Sequence, residues 1–151
     1  MKALIVYDSI YGNTEKIARA VGEAMTPSGD VKVLRAGEAN PSELASVDLL
    51  IVGSPVHGGR PTPAVQDFLN EMAQQSLKDI KVAAFDTRAT SKFAKIFGNA
   101  AGRIAGQLTR KGGDLVVPAE GFFVTGTKGP LKEGEPERAA NWAKEILEGK
   151  K

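Results

Sequence analysis

Ser9, Gly12, Asn13 and Thr14 stand together near the start of the chain, with Ile10 and Tyr11 between them. Upstream lies the apolar run Ala3-Leu4-Ile5-Val6-Tyr7; downstream, Ile17, Val21 and Met25 recur at four-residue intervals. A buried strand that feeds straight into a helix aims several unpaired backbone N–H groups at one point, with the positive end of the helix dipole behind them. Ser9, Asn13 and Thr14 add side-chain donors, and Gly12 lets the backbone come close to a ligand. The chemistry this suits is the grip of a phosphate without Lys or Arg. A plain turn in which Asn13 or Thr14 caps the helix would require one polar residue, whereas this loop lines up several.

Two further segments carry candidate chemistry. Gly53-Ser54-Pro55-Val56-His57-Gly58-Gly59-Arg60-Pro61 is a Gly/Pro-rich stretch suited to a tight, preset backbone, or to a simple turn before a helix. His57 is the single histidine, and imidazole is the side chain that ordinarily titrates near neutrality. Asp86-Thr87-Arg88 begins a third segment that carries Phe93 and Phe97 before Gly98-Asn99. The spacing of Phe93 and Phe97 is helical and suits a core face more than a ligand wall.

The elements that must position these loops follow from apolar patterning. Strands are expected at Ala3–Tyr7, Val31–Leu34, Leu49–Gly53, Val82–Asp86 and Leu115–Val117, with Phe122–Val124 continuing the last after a break at Pro118. Several are apolar without alternation, as strands covered on both faces are. Helical spacing links Val65, Phe68, Leu69 and Met72, then Ala101, Ile104, Ala105 and Leu108, then Ala139, Trp142, Ala143 and Ile146. Trp142 belongs to that last apolar stripe and is read as core. Alternating strands and helices imply an α/β fold with a parallel sheet and right-handed crossovers. The stretch 127–136 reads as a Gly/Pro-rich surface loop leading into the final helix, and residues 1–151 as a single domain.

Composition narrows the chemistry. The chain has 151 residues, 42% apolar and 25% charged, with no cysteine. Thiol catalysis, disulfides, cysteine-held zinc and iron–sulfur clusters are thereby excluded, and one histidine argues against a histidine-based metal site. The net charge of +2 is scattered along the chain rather than gathered in a basic stripe interleaved with aromatics, so nucleic acid is not the expected partner. No apolar stretch approaches a membrane span and no signal-peptide pattern opens the chain, so a cytoplasmic location is expected.

Neither G-x-G-x-x-G nor the P-loop G-x-x-x-x-G-K-S/T is present. What stands here is Ile5, Val6, Tyr7, Ser9, Gly12, Thr14, Ala18 and Val21 at a spacing that resembles the FMN-phosphate signature of the flavodoxin family. The resemblance covers almost the whole chain, most specifically in this first loop. It implies a doubly wound, five-stranded parallel sheet in the order 2-1-3-4-5 with helices on both faces, an order for which flavodoxin itself is the type example. It also implies that FMN is the cofactor, its phosphate held by Ser9, Ile10, Tyr11, Gly12, Asn13 and Thr14. Ser54, Pro55, Val56, His57 and Gly58 would touch the isoalloxazine ring, with a backbone group of Gly58 or His57 at N5. Thr87 and Arg88 would meet the pyrimidine edge, Arg88 near N1 and O2. His57 would flank the ring or donate toward N5, or else be an exposed loop residue; Arg88 has the same alternative of a solvated surface cation.

Two departures matter. Many flavodoxins stack Tyr and Trp on the flavin, and neither ring-facing loop here offers either residue, although Phe93 could stack; weaker FMN binding is the expectation. Many flavodoxins are also acidic, whereas this chain is mildly basic. The leading function implied is an electron carrier, without a catalytic side chain or metal, served by a flavin- or NAD(P)H-dependent reductase and a downstream acceptor. The alternatives are an FMN-dependent oxidoreductase of the NAD(P)H:quinone reductase or protoporphyrinogen oxidase type, and an interaction module of the same fold without redox activity.

Overall fold

The apolar run at the start of the chain forms β1 (Lys2–Tyr7), and its side chains divide between two cores. Leu4 and Val6 enter one hydrophobic cluster, Ala3, Ile5 and Tyr7 the other. That is why the run shows no polar alternation: a strand with helices on both sides has no wet face. The computed structural model describes residues 1–89 and 99–149.

β1 lies between β2 (Asp30–Arg35) and β3 (Leu49–Pro55), followed outward by β4 (Lys81–Ala89) and then β5 (Asp114–Leu115). Every pairing is parallel and the order is 2-1-3-4-5. β6 (Glu120–Val124) also pairs with β4, further along the same edge. β5 and β6 are thus two halves of one interrupted fifth strand. Leu115 stands opposite Val82 and Glu120 opposite Phe85, so four residues of the edge face two of β4. Pro118 lies inside that bulge, at a place where the ladder needs no N–H from it.

Among the described residues, four α-helices cover the sheet: α1 (Asn13–Met25), α2 (Pro63–Glu71), α3 (Ala100–Arg110) and α4 (Glu135–Glu148). Ile17 and Val21 of α1 share a core with Ala139, Trp142 and Ile146 of α4, and Phe68 of α2 shares the other with Ile104 and Leu108 of α3. Between β2 and β3 the crossover uses only short 3-10 turns at Ala36–Glu38 and Pro41–Leu44, with Leu44 and Val47 plugged into the α2/α3 core. Glycine at position 53 of β3 is demanded by packing, since a Cβ there would lie 2.1 Å from the Phe85 ring. Phe85, Phe122 and Trp142 form an edge-to-face trio with centroids 5.8 to 5.9 Å apart, so Trp142 is core, as its stripe predicts.

Candidate functional site at the carboxyl ends of the strands

The parallel sheet delivers the loops after β1, β3 and β4 to the same edge, and specific bonds hold them there. The amide of Asp8 donates to Gly53 O (3.2 Å), joining the first loop to β3. The amide of Val56 donates to Thr87 O (3.0 Å), joining the second loop to the end of β4. The hydroxyls of Thr14 and Thr87 meet at 2.8 Å, both buried, and close the triangle.

The first loop ends on Gly12, which takes the N-cap of α1 at φ 90. The cap residue is a glycine and has no side chain, so neither Asn13 nor Thr14 plays that part. The Asn13 amide instead donates to Lys128 O (3.2 Å), while Thr14 is committed to Thr87. Ser9 Oγ accepts from the Gly12 amide (3.0 Å) and more distantly from Glu15 (3.4 Å), which curls the loop around its own hydroxyl. The side-chain groups of Ser9, Asn13 and Thr14 are thus engaged within the protein, while the amides at the start of the helix have no intrahelical partner. A Cβ at Gly12 would meet nothing within 4 Å, so the space in front of the helix is open. Ile10 and Tyr11 flank that mouth, half-exposed at 53% and 51%.

Arg35, at the carboxyl end of β2 opposite Tyr7, was not among the sequence candidates. Its guanidinium donates to Ser9 O (3.2 Å) and Glu15 Oε1 (3.2 Å), lies 3.8 Å from Asp8 Oδ1, and covers the Tyr7 ring at 5.4 Å. It offsets the two acids that would otherwise repel an anion at this loop. The stretch 127–136 also does more than lead into α4: Lys128 O holds Asn13, Lys128 Nζ sits 6.0 Å over the Tyr11 ring, and a Cβ on Gly129 would strike Asn13. Only the parallel register, with Arg35 level with Tyr7, could have flagged the arginine beforehand; nothing local flags Lys128.

In the second loop, Ser54 is fully buried and internally bonded: its hydroxyl donates to Pro55 O (2.8 Å) and accepts from the Thr62 amide (3.0 Å). Its hydroxyl acts as a clip for the loop. Pro55 and Val56 are half-buried, Pro55 in register with Thr87. His57 and Arg60 exchange backbone bonds (2.8 and 3.1 Å) across a tight turn whose central residues, Gly58 and Gly59, have φ 61 and 78. Two successive positive φ values are what only such a glycine pair adopts without strain. His57 and Gly58 are exposed, and a Cβ at Gly58 would meet nothing within 4 Å.

At the third loop, Thr87 faces α1 while Arg88 points to the opposite side of the sheet. The Arg88 fork grips the fully buried Asp86, Nε to Oδ1 at 2.7 Å and Nη2 to Oδ2 at 2.9 Å. Asp86 Oδ2 also accepts from the Ala101 amide (2.9 Å), anchoring the start of α3. Burial pushes the Asp86 carboxyl above the usual carboxylate range, opposed by Arg88 and the Ala101 amide. Arg88 is thus not a solvated surface cation: its fork is held by Asp86. Phe93 and Phe97 lie outside the described residues. Among the described residues no cluster of His, Asp and Glu could hold a metal ion, and no helix is long and apolar enough to cross a membrane.

Comparison with known proteins decides the family. The model of the flavodoxin domain matches residues 4–119. The chain belongs to the flavodoxin-domain family. Flavodoxin 2 of Bacillus cereus superimposes with a TM-score of 0.80 at 26% identity, over 98% of this chain and 99% of that one. An uncharacterized protein of Methanocaldococcus jannaschii is 35% identical over 108 residues, 65% of this chain and 28% of its own length. The coenzyme F420H(2) oxidase of Methanothermobacter marburgensis is 29% identical over 130 residues, 82% of this chain and 31% of its own length. The chain therefore spans less than a third of these two archaeal relatives. FMN is the cofactor that flavodoxin membership brings. The helix mouth that starts on a glycine, the open space before Gly12 and the exposed glycine turn at Gly58 all fit it.

Proposed function

We propose that this flavodoxin-domain chain binds FMN across the ends of β1, β3 and β4 and works as a cytoplasmic electron carrier. A flavin- or NAD(P)H-dependent reductase would serve it on one side and a downstream acceptor on the other. The observation that carries the reading is the start of α1 on Gly12 at φ 90, a cap residue with no side chain, just beyond the end of β1. Unpaired first-turn amides and the helix dipole suit a dianionic phosphate, and water is their other partner in its absence. Backbone from Ser9, Ile10, Tyr11 and Gly12 through Asn13 and Thr14 would enclose the phosphate, with the Thr14–Thr87 bond fixing the helix mouth against the ring end. The Gly58 turn, with Pro55, Val56 and His57 beside it, would meet the isoalloxazine, and Ser54 would hold that turn in shape. We leave Arg88 out of the cofactor contacts. FMN supplies the redox chemistry when bound, passing electrons singly or in pairs; the protein binds, orients and shields it.

Titration of the protein with FMN, followed by quenching of flavin fluorescence, tests this. The wild type should saturate, and Ser9→Ala with Thr14→Ala should weaken uptake while circular dichroism confirms folding. An unquenched titration, or a double variant that binds as the wild type does, would remove the reading and favour an interaction module.

The likeness to part of the F420H(2) oxidase supports a second reading, in which the domain serves an FMN-dependent oxidoreductase. Steady-state turnover of NAD(P)H with a quinone by the chain alone would favour it; turnover that needs an added reductase favours the carrier.

A further inference from the structure

The outer faces of α2 and α3 enclose a groove of about 470 Å³ whose lining includes Arg60, Arg103 and Arg110 and no carboxylate. We propose that this groove is the docking surface for an acidic face of a partner protein. The proposal rests in part on the electron-carrier reading, which supplies the reason for a partner to sit at this place.

Charge distribution carries it first. The chain has seven arginines. Arg19, Arg35, Arg88 and Arg138 each stand in an ion pair. Among the described residues, the three in the groove have no acidic partner, and all three are exposed. In a chain with nearly equal acids and bases, cations left unpaired tend to be scattered; here the three arginines without an acidic partner share one concavity. Guanidinium groups match carboxylates as planar forks, so a surface rich in Asp and Glu is the complement.

The shape is built to stay open. Gln66 of α2 and Gln107 of α3 exchange amide bonds (2.8 and 3.2 Å), tying the two helices together across the groove. Gly106 stands in the interior of α3, where glycine costs about 1 kcal/mol relative to alanine, yet a Cβ there would meet nothing within 4 Å. No close packing requires it, and its effect is to deepen the groove.

Position joins the groove to the site. Arg60 closes the turn that begins at His57, so one end of the arginine groove is the Gly58 turn itself. A partner whose acidic residues lie on these arginines is brought against the turn proposed to touch the flavin. Such pairing acts chiefly on encounter rate and orientation, and it weakens with salt.

The test is fluorescence anisotropy with a fluorescein-labelled poly-glutamate peptide. One variant carries Arg60→Gln, Arg103→Gln and Arg110→Gln; a control removes equal charge elsewhere through Lys78→Gln, Lys81→Gln and Lys144→Gln. The wild type and the control should bind alike, the groove variant roughly tenfold more weakly, from three exposed contacts at the usual strength of surface ion pairs. Rising salt should erase the difference. Equal binding by the groove variant overturns the proposal, and so does an equal loss in the control, which would mean net charge alone. Displacement of the peptide by inorganic phosphate at matched charge also overturns it, by making the groove a small-anion site. FMN uptake measured on the same preparations stands apart: wild type that takes the peptide but no FMN keeps the groove and removes the cofactor reading.

Discussion

Thr14 and Thr87 show how little chemistry is needed to set the geometry of the site. The two buried hydroxyls share one hydrogen bond across the loops. Thr14→Val or Thr87→Val alone strands one buried hydroxyl and should cost about 1–3 kcal/mol, while the double variant should cost less than the sum. Urea denaturation of the four proteins measures the coupling; strict additivity would mean the contact is idle. Arg35 acts by charge instead. Arg35→Gln leaves Asp8 without its cation and Glu15 with Arg19 alone beside the helix mouth, so FMN affinity should fall about two- to fivefold, the scale of a half-exposed ion pair. An isothermal titration at low and high salt should show the loss shrinking as salt rises. Arg88 acts through stability. Arg88→Gln takes the partner from a fully buried carboxylate and should destabilise by about 3–5 kcal/mol, read as an earlier urea midpoint.

At the scale of elements, α4 is latched to the edge strand β6 by Glu135. Its carboxylate accepts from the Phe123 amide (2.7 Å) and from Arg138 (2.9 and 2.7 Å), and Arg138 also lies 4.5 Å over the Phe122 ring. Bonding to Arg138 first, and to the Phe123 amide, lowers the Glu135 pKa against the opposing effect of burial. A carboxylate depressed in the folded state contributes stability above its unfolded pKa and loses it as pH falls through the folded value. Thermal unfolding of wild type and Glu135→Gln across pH should therefore show a gap that is constant near neutrality and closes in acid. A gap that widened in acid would reverse the assignment. The expected elements largely coincide with those observed, because apolar runs and helical spacing are local. The β2–β3 crossover differs: 3-10 turns suffice there, since Leu44 and Val47 reach the core without a full helix.

For the whole molecule, the sheet separates two cores, and the single tryptophan reports on only one of them. We propose that residues 1–151 fold as one domain because the central strands contribute to both cores. Tryptophan fluorescence and far-ultraviolet circular dichroism should then give coincident denaturation curves. Two separate transitions would mean that the faces unfold independently. Trp142→Ala should cost about 3–5 kcal/mol by emptying the space beside Phe85 and Phe122.

The order of residues was enough for the strand-to-helix turn around Gly12, the strand and helix periods, the core place of Trp142 and the absence of thiol chemistry. Those depend on neighbours in the chain, where spacing is the geometry. Arg35 beside Ser9, Lys128 over Tyr11, Arg88 turned onto Asp86 and three arginines sharing one groove depend on which strands lie side by side and which face each side chain takes. A one-residue change of register would send Arg35 and Arg88 to the other face, and Lys128 and the groove arginines come together only once the strands bring their loops and helices side by side, so only the assembled sheet could place them.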